Sequence, residues 1–269
     1  MPSVAGGSRA RRRRRRVVPD VNLIHCSYHK CLTVYYRRVM GGVLNRCLRW
    51  RGPYRHYNSH LEEFYAGFEA DRLASVNNRS VDLDRLGEFR LTRFVRDPRD
   101  LVVSGYFYHR RGAEDWTRIR SPTEVDWYFA NGRVPESLRA GGQSFAQLLR
   151  SVSREEGLLA ELEFRAPHFE SMAAWPARHP DILTLRYEDV VADGERAFAE
   201  MASFYGLSPI ERRLTGWFAR RYSLARGRAD AHVRNPAPGQ WREVFTPRVR
   251  RTFDAAYGAL VAQLGYPAD

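Results

Sequence analysis

Three short segments carry residue types and spacings suited to holding a phosphorylated ligand. The first is Cys26-Ser-Tyr-His-Lys30-Cys-Leu-Thr33, between an apolar run and a helix-like stretch. A turn that delivers the chain into a helix N-terminus presents free backbone N–H groups and the positive end of the helix dipole, and both favour an anion. Lys30 adds a point charge that reaches a phosphate oxygen, and Thr33 adds a hydroxyl donor. The second segment is Arg96-Asp-Pro-Arg99-Asp100-Leu-Val-Val-Ser104. Arg96 and Ser104 can clamp a second phosphate. Asp97 and Asp100 can equally cap a helix or pair with Arg96 and Arg99, so ligand clamp and structural turn are both open. The third is Arg234-Asn-Pro-Ala-Pro-Gly239-Gln-Trp241-Arg242. A Gly just before a Trp, flanked by Arg, suits a lid over an anionic ligand, and equally a surface loop held by one anchored Trp. The pattern GxxxxGK[ST] is absent, which weakens an ATPase or GTPase reading.

These segments need rigid elements behind them. Val21–His25 is an apolar run of strand length, and 33–49 repeats its apolar residues at helical spacing, with Thr33 as N-cap. The stretch 50–60, rich in aromatics, Arg and Gly, reads as loop, followed by a short helix at 61–68 and a strand at 73–76. Phe89–Val95 alternates as a strand does, and Pro98 suits the first turn of the helix after it. A short helix is expected at 123–130, mostly helix over 145–175, a strand at 182–187, and helices at 195–205 and 247–264, with a polar loop at 223–240. Strands alternating with helices predict a single α/β domain: a central parallel β-sheet flanked by helices, with a phosphate-binding turn after the first strand.

Composition sets the outer limits. The 269 residues are enough for one core, and 43% hydrophobic content with 6 Trp, 14 Tyr and 14 Phe predicts a globular chain. The formal charge is +13, of which seven belong to Arg9 and Arg11–Arg16, leaving +6 for the rest. Residues 1–19 are therefore expected as a basic disordered tail and 20–269 as the folded domain. The tail is a solubilising extension or a contact for nucleic acid or another polyanion. The residual positive charge suits an anionic small molecule. Three cysteines, Cys26, Cys31 and Cys47, without metal-ligand spacing predict a reducing, cytoplasmic setting and no metal. No apolar run is long enough to span a membrane.

Taken together and in order, the motifs resemble the sulfotransferase family that uses 3′-phosphoadenosine 5′-phosphosulfate (PAPS). His29-Lys30-Cys31-Leu32-Thr33-Val34-Tyr35 stands in register with that family's 5′-phosphosulfate loop, Pro-Lys-Ser/Ala-Gly-Thr-Thr/Ser-Trp. Arg96–Ser104 matches its 3′-phosphate motif at every defined position. Arg234, Gly239, Trp241 and Arg242 echo its late motif, and Tyr187-Glu188-Asp189 its Tyr-Glu-Asp. The resemblance implies PAPS as cofactor and sulfuryl transfer to a hydroxyl or amine, on a small molecule or a glycan. It implies that Lys30, Thr33 and the turn hold the 5′-phosphate and that Arg96, Ser104 and Arg234 hold the 3′-phosphate. Tyr35 and Tyr187 would then lie near the adenine. Leu32 in place of Gly, and Val34 in place of Thr or Ser, imply a bulkier turn with one donor fewer.

The family's usual His is missing from Asn77-Asn78-Arg79-Ser80, which leaves His60 and Glu63 as the expected base. His109 is read as structural, and His29 either contacts the sulfuryl group or stabilises the turn. Regions 50–75 and 112–145, with Trp50, Tyr54, Tyr57, Phe64, Trp116, Trp127 and Tyr128, are expected to line the acceptor pocket. The alternatives are a nucleotide kinase or NTPase, which leaves Arg96–Ser104 unexplained, and a non-catalytic polyanion-binding module.

Overall fold

The computed structural model describes residues 21–43, 53–67, 73–223 and 235–268. The basic stretch 1–19, Cys47, Trp50 and Arg234 lie outside the described residues. The elements run β1 (Asn22–Ser27), α1 (Thr33–Gly42), β2 (Tyr54–Asn58), α2 (Leu61–Gly67), β3 (Leu73–Asn77), β4 (Phe89–Val95) and α3 (Pro98–Arg110). Then come α4 (Glu136–Arg139), α5 (Phe145–Ser151), α6 (Arg154–Phe164), α7 (Ala166–Ala173), β5 (Ile182–Arg186) and α8 (Tyr187–Ala192). The chain continues through α9 (Gly194–Phe204), α10 (Pro209–Arg221), α11 (Trp241–Val244) and α12 (Pro247–Gln263).

The five strands form one all-parallel sheet of order β2-β3-β1-β4-β5. Both faces of a parallel sheet must be covered, because each crossover lays a helix on it. Alternate residues of β1 serve opposite sides. Leu23 joins the larger core with Tyr36, Phe94 and Phe198, whereas Ile24 and Cys26 join a second core with Phe64, Val76 and Trp175. From β1 the chain leaves towards β2 on one side and later returns to β4 on the other. The strand ends diverge there, and the crevice above β1 is where such sheets take ligands.

Two expectations change. Residues 54–58 are a strand and not loop: Tyr-Arg-His-Tyr-Asn is polar because β2 is an edge strand with a single neighbour, β3, in register Tyr54↔Leu73 to Asn58↔Asn77. The short helix expected at 123–130 is reduced to one 3₁₀ turn, Tyr128–Ala130. Asp126 bonds back to the N–H and hydroxyl of Thr123, closing a local turn that competes with helix. The long helical stretch 145–175 is three helices, with Ser144/Gln147 and Ser153/Glu156 capping boxes starting the first two.

Candidate active site

The turn after β1 is built from two left-handed residues. Lys30 has φ 69° and Leu32 φ 60°, and Leu32 is the N-cap of α1. Such a conformation costs a non-glycine residue roughly 1–2 kcal/mol. Leu32 offsets that by burying its side chain in the larger core. Thr33 locks the turn to the sheet: its hydroxyl is 2.9 Å from Ser27 Oγ and donates to Asn77 Oδ1 at 3.2 Å and the Tyr28 carbonyl at 3.3 Å. Cys31, in the turn expected to bind the cofactor, does not line the cavity. Its side chain is fully buried, and its N–H closes the turn onto the Tyr28 carbonyl.

Lys30 places its ammonium 3.7 Å from the centre of the Tyr108 ring. Burial, and then the nearby Arg96, pull its pKa down to about 7; Glu114 opposes this, and Arg165 and Arg111 add to it. Lys30 is half-buried, and the cations beside it outnumber the one carboxylate, Glu114. Arg96, at the end of β4, lies with its guanidinium 4.0 Å from the Tyr187 ring centre and donates through Nη1 to the Lys30 carbonyl. Its Nε and Nη2 are buried without a hydrogen-bond partner among the described residues. An orphaned guanidinium edge is costly unless a ligand supplies the acceptors.

Between Arg96 and Ser104, the polar residues of the second motif are engaged within the protein. Asp97 caps α3 through the Arg99 N–H and pairs with the Arg99 side chain at 2.8 Å. Arg99 also donates to the carbonyls of Pro267 and Ala268, so the C-terminal segment is clasped against the start of α3. Glu188 contributes to that clasp by accepting from Tyr266 Oη at 2.7 Å. Asp100 accepts from the N–H groups of Gly239 at 2.6 Å and Trp241 at 3.0 Å. Gly239 has φ 79°, which lets its N–H turn inward to Asp100. Trp241 is buried, with the Arg99 guanidinium 3.8 Å from its ring centre. Of the two readings of this loop, the anchored Trp is the one the geometry gives. Gly239 and Trp241 hold the loop, and Asn235 and Gln240 are the residues it brings to the cavity.

The cavity above β1 measures about 340 Å³. Of the expected binding residues, Lys30, Leu32, Thr33, Val34, Tyr35, Arg96, Ser104 and Tyr187 line it. Tyr35 is tied at its hydroxyl to the Ala219 carbonyl, 2.8 Å away on α10, and Tyr187 donates to the Pro236 carbonyl. The charged lining is Lys30, Arg37, Arg38, Arg96 and Arg111 against Glu114. Sequence reasoning missed Arg37, Arg38 and Arg111. Arg37 stands one helical turn after Thr33 on α1, a spacing that puts both on one face and would have found it.

His60 and Glu63 do not line the cavity, which corrects their expected place. They open α2 and face each other at 3.6 Å in solvent. The histidines that do line it are His29 and His56. Trp116 and Trp127 are also displaced from the expected acceptor wall: both are buried, in contact with each other and with Phe145 and Phe164. His109 is structural as read, fully buried and 2.6 Å from Glu161 Oε2.

The molecule is an α/β protein with a basic cavity at the switch point of a five-stranded parallel sheet, floored by a lysine-bearing turn. The chain belongs to the sulfotransferase domain family, whose family model matches residues 89–265. That match takes in Arg96–Ser104, Tyr187 and the Gly239–Trp241 loop and begins after the Lys30 turn. Among solved structures, mouse sulfotransferase SULT7A1 complexed with PAP is similar in fold, with TM-score 0.53 and 15% identity over 92% of this chain and 85% of that one. Retinol dehydratase, solved with androsterone and inactive cofactor PAP, aligns with TM-score 0.51 and 15% identity over 91% of this chain and 81% of the other. No curated protein matches the sequence significantly. Among the described residues no helix is long and apolar enough to cross a membrane.

Proposed function

We propose that the protein transfers a sulfuryl group from PAPS to a hydroxyl or amine acceptor. The observation that carries this reading is the pair Lys30 and Arg96, in one cavity, one depressed in pKa by burial and then by the neighbouring Arg96, the other with two buried donors unpartnered among the described residues. Both features are expensive in isolation and are relieved by a ligand with two separate phosphate groups. Membership of the sulfotransferase family and the PAP held by two proteins of the same fold support the choice of ligand.

PAPS would bring the reactive sulfuryl group, joined to a 5′-phosphate that leaves as an anion. The protein's part is positioning and fixed positive charge. Lys30 and the N–H groups opening α1 hold the charge that grows on the leaving phosphate. Thr33 keeps that turn seated on β1 and β3. Arg96 and Ser104 hold the 3′-phosphate from β4 and α3. Tyr35 and Tyr187 offer ring faces to the base, and Asn235 and Gln240 close the loop side. The acceptor approaches from the side of His56, Asn58 and Glu114. A cytoplasmic setting is part of the proposal: Cys26 and Cys31 are buried free thiols, and burial pushes the Cys31 thiol up to about 12.

Thermal shift or calorimetry with PAP tests the reading, with ATP and GTP as controls. PAP should stabilise the protein strongly and the triphosphates weakly. Stabilisation by ATP or GTP with magnesium-dependent hydrolysis would replace it with a kinase or NTPase. Transfer of labelled sulfate from PAPS to phenols, alcohols, amines and glycans then identifies the acceptor class.

A further inference from the structure

The sulfuryl-transfer reading needs a group that takes the acceptor's proton, and His60 and Glu63 do not line the cavity. We propose, resting on that reading, that His29 is the catalytic base and that Glu114 is the positioning residue that sets its tautomer. His29 precedes Lys30 in the turn and lines the same cavity. Its Nε2 lies 3.5 Å from Glu114 Oε1. Glu114 in turn accepts from Tyr108 Oη and from Trp116 Nε1, so the carboxylate is held as an acceptor. A proton on Nε2 facing that carboxylate leaves the lone pair on Nδ1, which has no hydrogen-bond partner among the described residues.

The ring is held from three other sides. Its backbone N–H donates to Asn78 Oδ1 at 2.7 Å, and its carbonyl accepts from Arg165 Nη1 at 3.4 Å. Its face stacks on His109, with ring centres 5.1 Å apart and planes 13° from parallel. His109 is itself pinned by Glu161, which also binds Arg165 at 2.8 Å. A base held this way loses little freedom in the reaction. The competing group is His56, whose ring nitrogens are both engaged, with Ser75 at 2.8 Å and Asn58 at 2.9 Å.

The groups facing His29 are Glu114 on the loop after α3, Tyr108 and His109 on α3, Arg165 and His168 at the start of α7, and Lys30 beside it. Burial lowers its pKa to about 4; Glu114 works against this, and His109 and Arg165 add to it. The ring is therefore neutral at neutral pH and able to accept a proton. An anion beside Lys30 favours the protonated ring and strengthens the base when the site is loaded. In the transfer step, His29 Nδ1 gains the proton that the acceptor hydroxyl loses as its oxygen bonds to sulfur. The bond from sulfur to the leaving phosphate oxygen breaks, and its electron pair stays on that oxygen.

Two measurements on the full chain test this. Histidine ¹⁵N NMR should show His29 as the Nε2–H neutral tautomer at pH 7. Its titration midpoint should rise on adding PAP and fall in Glu114→Gln. In His29→Asn and His29→Gln, kcat should drop about 10²- to 10⁴-fold for an aliphatic alcohol or ordinary phenol. The drop should be about tenfold or less for a nitrophenol already ionised at the assay pH, and PAP stabilisation should be retained. A midpoint unmoved by PAP, the opposite tautomer, equal losses for both acceptors, or loss of PAP stabilisation in both variants would each overturn the assignment. If PAP fails to stabilise the wild-type protein, it is the sulfuryl-transfer reading that fails, and the base with it.

Discussion

Lys30 shows how much of a side chain's chemistry is decided by its neighbours. Burial and the neighbouring Arg96 pull its pKa down to about 7 in the free protein, which brings its proton into play near neutrality. A bound anion favours the charged form, so binding PAP should raise that pKa and take up a proton above pH 7. The sign follows: affinity for PAP should fall as pH rises from 7 to 9, and calorimetry in buffers of differing ionisation heat should register the uptake. Lys30→Met should lower kcat by roughly 10²- to 10³-fold, the usual loss of one preorganised donor at a charge-developing oxygen. Arg96 calls for a planar fork, and Arg96→Lys should weaken PAP binding by roughly ten- to a hundredfold in the same titration, because a lysine replaces a fork by a point charge. Val34 is 38% exposed and lines the cavity where a hydroxyl would serve. Val34→Thr should tighten PAP by up to about tenfold, the worth of one net hydrogen bond; weaker or unchanged binding would place that side chain away from the phosphate.

At the scale of elements, α3 does the most to shape the site. It carries Ser104 to the cavity, Asp100 to the loop and Tyr108 to Lys30, and its Gly105 lets α6 approach closely. A methyl at Gly105 would run into Glu161 Oε1 and Arg165 Nη2, both buried. Gly105→Ala should therefore destabilise the fold by roughly 1–3 kcal/mol, the usual range for overpacking, read as a lower denaturant midpoint. Asp100→Ala strands two loop N–H groups and should raise the KM for PAPS through Asn235 and Gln240 more than it lowers kcat. The parallel sheet and the strand-turn-helix units around Lys30 and Arg96 were legible in the sequence, because apolar runs and a Pro-Arg-Asp helix start are local signals. The edge strand β2 was not, since its pairing with β3 carries no apolar run. The positions of His60, Glu63 and Trp241 were also illegible. Whether a side chain faces a cavity or the core depends on contacts between segments far apart in sequence, such as Asp100 with Gly239. His29 was seen, but its partner Glu114 is 85 residues away in the chain, and no spacing rule links them.

For the molecule as a whole, charge and closure matter most. The formal charge of +13, with five basic side chains around one cavity, should steer a polyanion inward and make PAP binding weaken steeply with salt. Replacing Arg9 and Arg11–Arg16 with neutral residues would separate their long-range pull from that of the cavity. Residues 265–268 fold back onto Arg99, Arg186 and Glu188, at the base of the Arg96 motif. That clasp carries a consequence for biosynthesis. Arg99 meets carbonyls made 168 and 169 residues after it, so a ribosome that has already delivered β1, β4 and α3 has not yet delivered the groups that hold the motif in place. The Arg96 motif is thus clasped only once residues 265–268 have been made. A stalled nascent chain lacking residues 265–268 should show its sheet protected from proteolysis while binding PAP poorly.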